Sequence, residues 1–119
     1  MESARSLAKK ALKGICRVVD EDQAQNNRDS EFILVSVVSA VYTEYADNKP
    51  VTRRDNLDVL WYGADPGLMD SRAGQIEAAM RAAGFYTVSL PMDLGYDPGD
   101  QYFGTTQEFC LERAVPDGI

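Results

Sequence analysis

Three consecutive pieces decide the fold of this chain: Glu44-Tyr-Ala-Asp-Asn-Lys-Pro50, then Thr52-Arg-Arg-Asp-Asn-Leu-Asp-Val-Leu-Trp-Tyr62, then a helix closed by Ala82-Ala-Gly-Phe85. The first holds Asp, Asn and Pro, residues whose local hydrogen bonding and fixed φ suit a turn. In the second, Leu57, Val59 and Trp61 alternate with Asn56, Asp58, Leu60 and Tyr62, the period of two that marks a strand from about residue 53 to 62. Its first face should meet a core, and its second faces solvent or a neighbouring subunit. Asp65-Pro66 then reads as a helix start, because Asp accepts bonds from free N–H groups and Pro has none to lose. Met69, Ala73, Ile76, Met80 and Ala83 form the helix stripe, and Gly84 is placed as a left-handed cap.

Upstream, residues 2–13 have helical spacing, with Ala4, Leu7, Ala8, Ala11, Leu12 and Ile15 on one side and Gly14 as the stop. A short strand over 15–19 and an exposed polar loop over 20–30 follow. Phe32 to Thr43 is β-branched and apolar on both faces, so it is expected to lie centrally, covered once by a helix and once by a partner. Downstream, 85–90 reads as a strand, 91–101 as a Pro, Gly and Asp loop, 102–113 as a final strand and 114–119 as a disordered tail. The strands around the Tyr45 to Pro50 turn are too closely joined for a helical crossover. The expected fold is therefore α+β: a largely antiparallel β-sheet of four to five strands with two helices packed on one face, in a single domain over 1–119.

A chain of 119 residues buries roughly two-thirds of its extended surface, enough for one core. No apolar run reaches the roughly 18 residues of a membrane span. The N-terminus shows no hydrophobic stretch before a small-residue cleavage site, so a cytoplasmic setting is expected. Net charge is −7, divided as +4 over residues 1–17 and −11 over the rest. Such an acidic body repels phosphate, and the basic segment, with Arg5, Lys9 and Lys13 on one side of a helix, suits pairing with the acidic body of a neighbouring subunit. A solvated helix face has the same pattern. Cys16 and Cys110 are the only cysteines; they fit no zinc spacing, and the sequence leaves open whether they meet as a disulfide.

Histidine is absent, which removes the commonest general base. Catalysis would rest on carboxylates, and the two acidic groups, Asp20, Glu21 and Asp22, and Asp93, Asp97 and Asp100, lack the regular spacing of a calcium loop. Gly63 and Gly67 lack the Gly-Lys-Ser/Thr ending of a phosphate loop, while Gly95, Gly99 and Gly104 read as turn glycines with φ > 0. No catalytic residue, cofactor or metal site is assigned. Tyr42, Tyr45, Trp61, Tyr62, Tyr86, Tyr96 and Tyr102 mostly serve packing, and the remainder, with Arg53 and Arg54, have the composition of interface anchors.

The order of a helix, an apolar strand ending near Glu44, Ala46-Asp-Asn-Lys49, Leu57-Asp-Val-Leu-Trp-Tyr62, Ile76 to Phe85, and Tyr102 to Phe109 resembles the small tail terminator proteins of long-tailed bacteriophages, also called tail completion or tail-to-head joining proteins. The likeness runs over about residues 30–112 and is one of element order more than of fixed residues. It implies a homo-hexameric ring at the head-proximal end of the tail tube, which stops tube polymerisation and meets the capsid neck. Partners implied are further copies of the chain, the tail tube protein and the head-neck connector, with DNA passing through the lumen without specific binding. It also implies a location in the virion, after assembly in the host cytoplasm. On this reading Asp47, Asn48, Lys49, Arg53, Arg54, Tyr62, Lys9 and Lys13 are the candidate contact residues. The polar segments 20–30 and 91–101 depart from the family pattern and suit contacts to tube or neck.

Two other readings compete. One is a small intracellular adaptor that takes a protein partner on its sheet edge. The other is an Asp- or Glu-based metal enzyme using Asp97 and Asp100, which the missing histidine disfavours.

Overall fold

A computed structural model describes residues 1–26 and 28–116. In chain order the elements are α1 (Ala4–Leu12), β1 (Val18–Val19), a 3-10 segment (Glu21–Asn26), β2 (Glu31–Ala46), β3 (Lys49–Gly63), a 3-10 turn (Pro66–Leu68), α2 (Met69–Ala82), β4 (Tyr86–Thr87), β5 (Met92–Asp97) and β6 (Tyr102–Ala114). All six strands join one sheet in the order β1-β2-β3-β6-β4, with β5 also on β6. Every pairing is antiparallel except β1 with β2. The α+β reading holds, with one strand more than expected.

Local chemistry accounts for the elements. Ser3 caps α1 by accepting the Ser6 N–H at 3.1 Å, and Ala4, Ala8 and Leu12 turn one buried stripe inwards. The β2–β3 reversal uses only Asp47 and Asn48, at φ +52° and +62°, the left-handed pair that matches the twist of a two-residue hairpin. Pro50, which has no N–H, lies past the end of β6, where β3 needs no donor on that side. Asp65 accepts the Gly67 N–H at 2.8 Å and opens the turn into α2. At the other end Gly84 takes φ +99°, and the Phe85 N–H reaches the Met80 carbonyl at 3.0 Å. That cap folds Phe85 into the core.

Both helices pack on the same sheet face. Ala8 and Leu12 of α1 and Ile76 and Met80 of α2 meet Ile33, Val35, Leu57, Val59, Trp61, Phe109 and Leu111. Ion pairing fastens the layers: Arg72 Nε on α2 lies 3.0 Å from both carboxylate oxygens of Glu31. Trp61 is fully buried and its indole lies across Gly63, where a Cβ would sit 2.2 Å from the ring. On the opposite face Tyr62 covers Gly104 in the same manner, so Gly104 is a strand glycine chosen for close approach and not for a turn.

Several expectations need correction. Phe32 to Thr43 is not central, since β2 is the outermost strand beyond Leu34, and its helix cover stops early: Phe32, Ile33 and Val35 are buried, but Val37, Val38, Val41, Tyr42 and Tyr45 are exposed, because the helices end before the hairpin does. The body is therefore 53 Å long and only 25 × 22 Å across. The 91–101 loop is largely β5, hydrogen-bonded to β6, and the strand expected over 85–90 shrinks to Tyr86–Thr87. The 20–30 loop contains a 3-10 segment. Ala83 is exposed and drops out of the α2 stripe. The tail expected from 114 is paired at its start, since Ala114 faces Thr52 and the Val115 N–H donates to the Val51 carbonyl at 2.9 Å; residues 117–119 lie outside the described residues.

Candidate assembly surfaces

Five of the eight candidate contact residues gather on the β2–β3 hairpin. Asp47 and Asn48 form its turn, Lys49 opens β3, and Arg53 and Arg54 stand where the hairpin leaves the core. Tyr62 is at the far end of β3, stacked on Phe32 with ring centroids 5.2 Å apart. Lys9 and Lys13 lie on or just past α1. The hairpin residues form one surface; Tyr62 and the lysines belong to others.

Arg53, Arg54 and Lys9 have intramolecular partners. Arg53 forks onto Asp55, with Nε 3.0 Å from Oδ2 and Nη2 2.9 Å from Oδ1. Asp55 is only 3% exposed and is also reached by Arg113 Nη2 at 3.4 Å, so this carboxylate is held between two guanidiniums. Arg54 pairs across the sheet with Glu112 at 2.6 Å. The basic first segment is likewise engaged at home: Lys9 meets Asp20 at 2.5 Å, Arg5 meets Glu21 at 3.2 Å and Arg17 meets Asp29 at 3.3 Å. The Lys9 ammonium holds the Asp20 carboxyl below its ordinary value. The arginines and lysines thus shape the subunit before they meet anything else.

What the hairpin presents outwards is apolar. Val37, Val38, Val41, Tyr42 and Tyr45 are all exposed, and the Tyr42 and Tyr45 rings make an edge contact at 6.4 Å. The outer edge of β2 is paired by β1 only at Ile33 and Leu34; from Val35 to Ala46 it has no neighbour strand among the described residues. A second exposed apolar row occupies the opposite edge: Tyr86, Val88, Leu90, Met92, Leu94 and Tyr96. This row was not among the sequence candidates. Its signal was present as Leu90, Met92, Leu94 and Tyr96 at steps of two, hidden by the Pro, Gly and Asp between them.

Two concave regions hold polar groups. A cleft of about 500 Å³ is lined by Arg28, Asp29, Gly99, Asp100, Gln101 and Tyr102, and the Tyr102 hydroxyl donates to the Asp29 carbonyl at 2.5 Å. A smaller one of about 190 Å³ sits between Phe32, Leu34, Tyr62, Asp97 and Asp100. Burial pushes the Tyr62 phenol up, and the two aspartates add to the effect. Asp93 and Asp97 accept the Gly95 and Gly99 N–H groups at 2.7 and 2.9 Å, which makes them turn formers. Among the described residues no three of Cys, Asp and Glu converge as a metal-holding group, and no helix is long and apolar enough to cross a membrane.

The cysteines are both free thiols. Cys110 is buried with its sulfur 3.3 Å from the Tyr86 hydroxyl, and the hydrogen bond between them, with burial, pushes the phenol up to about 12. Burial pushes the Cys16 thiol up to about 11. No protein-family model matches the chain, and no curated protein matches it.

Proposed function

We propose that this chain is a ring-forming assembly protein of the tail-terminator kind, which caps the head-proximal end of a long-tailed phage's tail tube, stops its growth and offers the capsid neck a joining surface. The observation that carries the reading is the uncovered hairpin, whose open strand edge and exposed Val37, Val38, Val41, Tyr42 and Tyr45 are poorly suited to an isolated monomer. The order of elements supports it, as does an acidic body that would let DNA pass a lumen without holding it. Such a protein acts by surface and not by chemistry. The chain's lack of histidine and the engagement of Asp93 and Asp97 in turns fit that role.

Light scattering with negative-stain imaging tests the reading, alone and after mixing with tail tube protein. Six-fold rings and shortened tubes are expected. A strict monomer at high concentration that leaves tube growth unchanged overturns it. A one-to-one complex with a single host protein would instead favour the adaptor reading, for which the same open β2 edge would accept one added strand.

A further inference from the structure

Every large hydrophobic side chain exposed among the described residues, Met1 aside, falls on one of two segments: Val37 to Tyr45 at one edge of the sheet and Tyr86 to Tyr96 at the other. Single exposed apolar residues are ordinary on a surface, but two rows confined to opposite unpaired edges are not. From the sheet order, β2 borders one side and β4 with β5 the other. The two edges also differ in charge: the open stretch of β2 from Val35 to Thr43 carries none, while residues 87–101 carry Asp93, Asp97 and Asp100 with no cation, a net −3.

We infer that the open β2 edge of one copy of this chain pairs with the β5 edge of the next, so that the sheet continues from subunit to subunit. The inference rests on the ring reading and names its contact. Two different edges meeting is a heterologous interface, the kind that closes into a ring when the rotation allows. Polarity follows from the strand directions. β6 runs with β2 because both are antiparallel to β3, and β5 runs against β6. A rotated copy therefore brings β5 antiparallel to β2, the better-bonded arrangement.

The inferred register sets Met92 of one copy beside Val41 of the next. Val41 lies level with Arg54 of β3, and Met92 lies level with Thr106, hence with Leu60 of β3. Bringing Met92 of one copy beside Val41 of the next shifts each subunit along the strands by six rows of β3. At about 3.3 Å per row this is about 20 Å, against a repeat of four strands, β2, β3, β6 and β5, at about 4.8 Å each. The strands then incline by about 45°, within the range of sheets that close on themselves. Val41 and Met92 also project from the same sheet face, the one opposite the helices, since they sit in the rows of Arg54 and Thr106.

Cross-linking by site tests this. Val41→Cys and Met92→Cys are made separately in a Cys16→Ser background, purified, mixed and mildly oxidised. The mixture should yield disulfide dimers at least tenfold above either variant alone. A chain carrying both substitutions should give a ladder ending at the oligomer mass found by light scattering. An oligomer whose mixed sample shows no such bridge overturns the edge pairing and leaves the ring reading intact. Strong cross-linking of Val41→Cys alone also overturns it, because two hairpins would then be meeting as equals. A monomer overturns both. Val41→Lys and Leu90→Lys, at exposed positions, provide the second measurement: each should weaken association at least tenfold with Trp61 fluorescence unchanged, and unaltered association of both overturns the pairing.

Discussion

Replacing Gly63 with alanine should damage the core far more than one added methyl suggests. A Cβ built there stands 2.2 and 2.4 Å from two carbons of the Trp61 ring and 3.1 Å from a third. Ordinary carbon contacts are about 3.5–4.0 Å, so the ring must retreat by more than about 1 Å. It has no room, since Trp61 is fully buried and its row in the sheet is filled by Ile33 and Thr105. Overpacking of this kind costs about 1–3 kcal/mol, and about 2 is the central value. With a urea slope of about 1.5 kcal/mol/M, the unfolding midpoint should fall by about 1.3 M. The assay is urea unfolding followed by fluorescence at one fixed concentration, because association adds to apparent stability. Trp61 is the only tryptophan and sits at the clash. Gly74→Ala is the control. Nothing lies within 4 Å of its Cβ position in α2, so it should raise the midpoint through the helix preference of alanine, worth about 0.5–1 kcal/mol. A Gly63→Ala midpoint equal to wild type would refute the packing of the indole against this strand.

Asp55→Ala strips two guanidiniums of their carboxylate and should cost about 2–3 kcal/mol in the same assay, less than a fully buried pair because Arg53 is 38% exposed and can return to water; no loss would mean the fork is ornamental. Asn48→Val forces a β-branched residue to φ +62° and should destabilise by about 1–2 kcal/mol, whereas Asn48→Gly should not, and equal midpoints for the two contradict the left-handed turn. A thiol reagent at pH 8 should label neither cysteine quickly in the native protein and both after denaturation, since Cys16 is held up to about 11 and Cys110 is buried; one fast native thiol refutes the burial. Asp20 has a lowered carboxyl in the folded chain, so the contribution of its Lys9 pair is present above the ordinary aspartate value and is lost as pH falls through the lower folded value. An NMR titration of Asp20 with a midpoint at or above that of an unpaired aspartate contradicts that pair.

The parts of the fold that were legible in the sequence are those where one residue type has one local job. Asp65-Pro66 opened a helix, Gly84 closed it and Asp47-Asn48 turned a hairpin, each through backbone chemistry within a few residues. The alternation of Leu57, Val59 and Trp61 gave the core face of β3 directly. Failures came where tertiary extent decides. Nothing in Val37 to Tyr45 says that α1 and α2 are too short to cover it, so apolar residues on both faces read as doubly buried strand. In β5 the aspartates and Gly95 outweighed a two-residue apolar step, because their role in local turns was invisible without the neighbouring strand. Arg53 and Arg54 have the composition of interface anchors, yet Asp55 and Glu112 claim them, and Glu112 is 58 positions away in the chain.

A long open apolar edge invites any strand, so selectivity in the inferred contact must come from shape and charge. Register shifts beside Val38 and Thr43 break the regular ladder of outward donors and acceptors along β2, and another interrupts β5 between Asp93 and Gly95. A partner must match these irregularities, which excludes most flat strands. Charge then separates the possible self-pairings. Two β5 edges together would bring Asp93 and Asp97 of both copies into one strip without a cation in it, whereas β5 against β2, with Met92 beside Val41, sets them along the uncharged run from Ser36 to Ala40. Like charges opposed across strands are destabilising, so the homotypic dimer is penalised where the head-to-tail contact is not. The aspartates of β5 therefore favour growth of a ring over arrest as a pair.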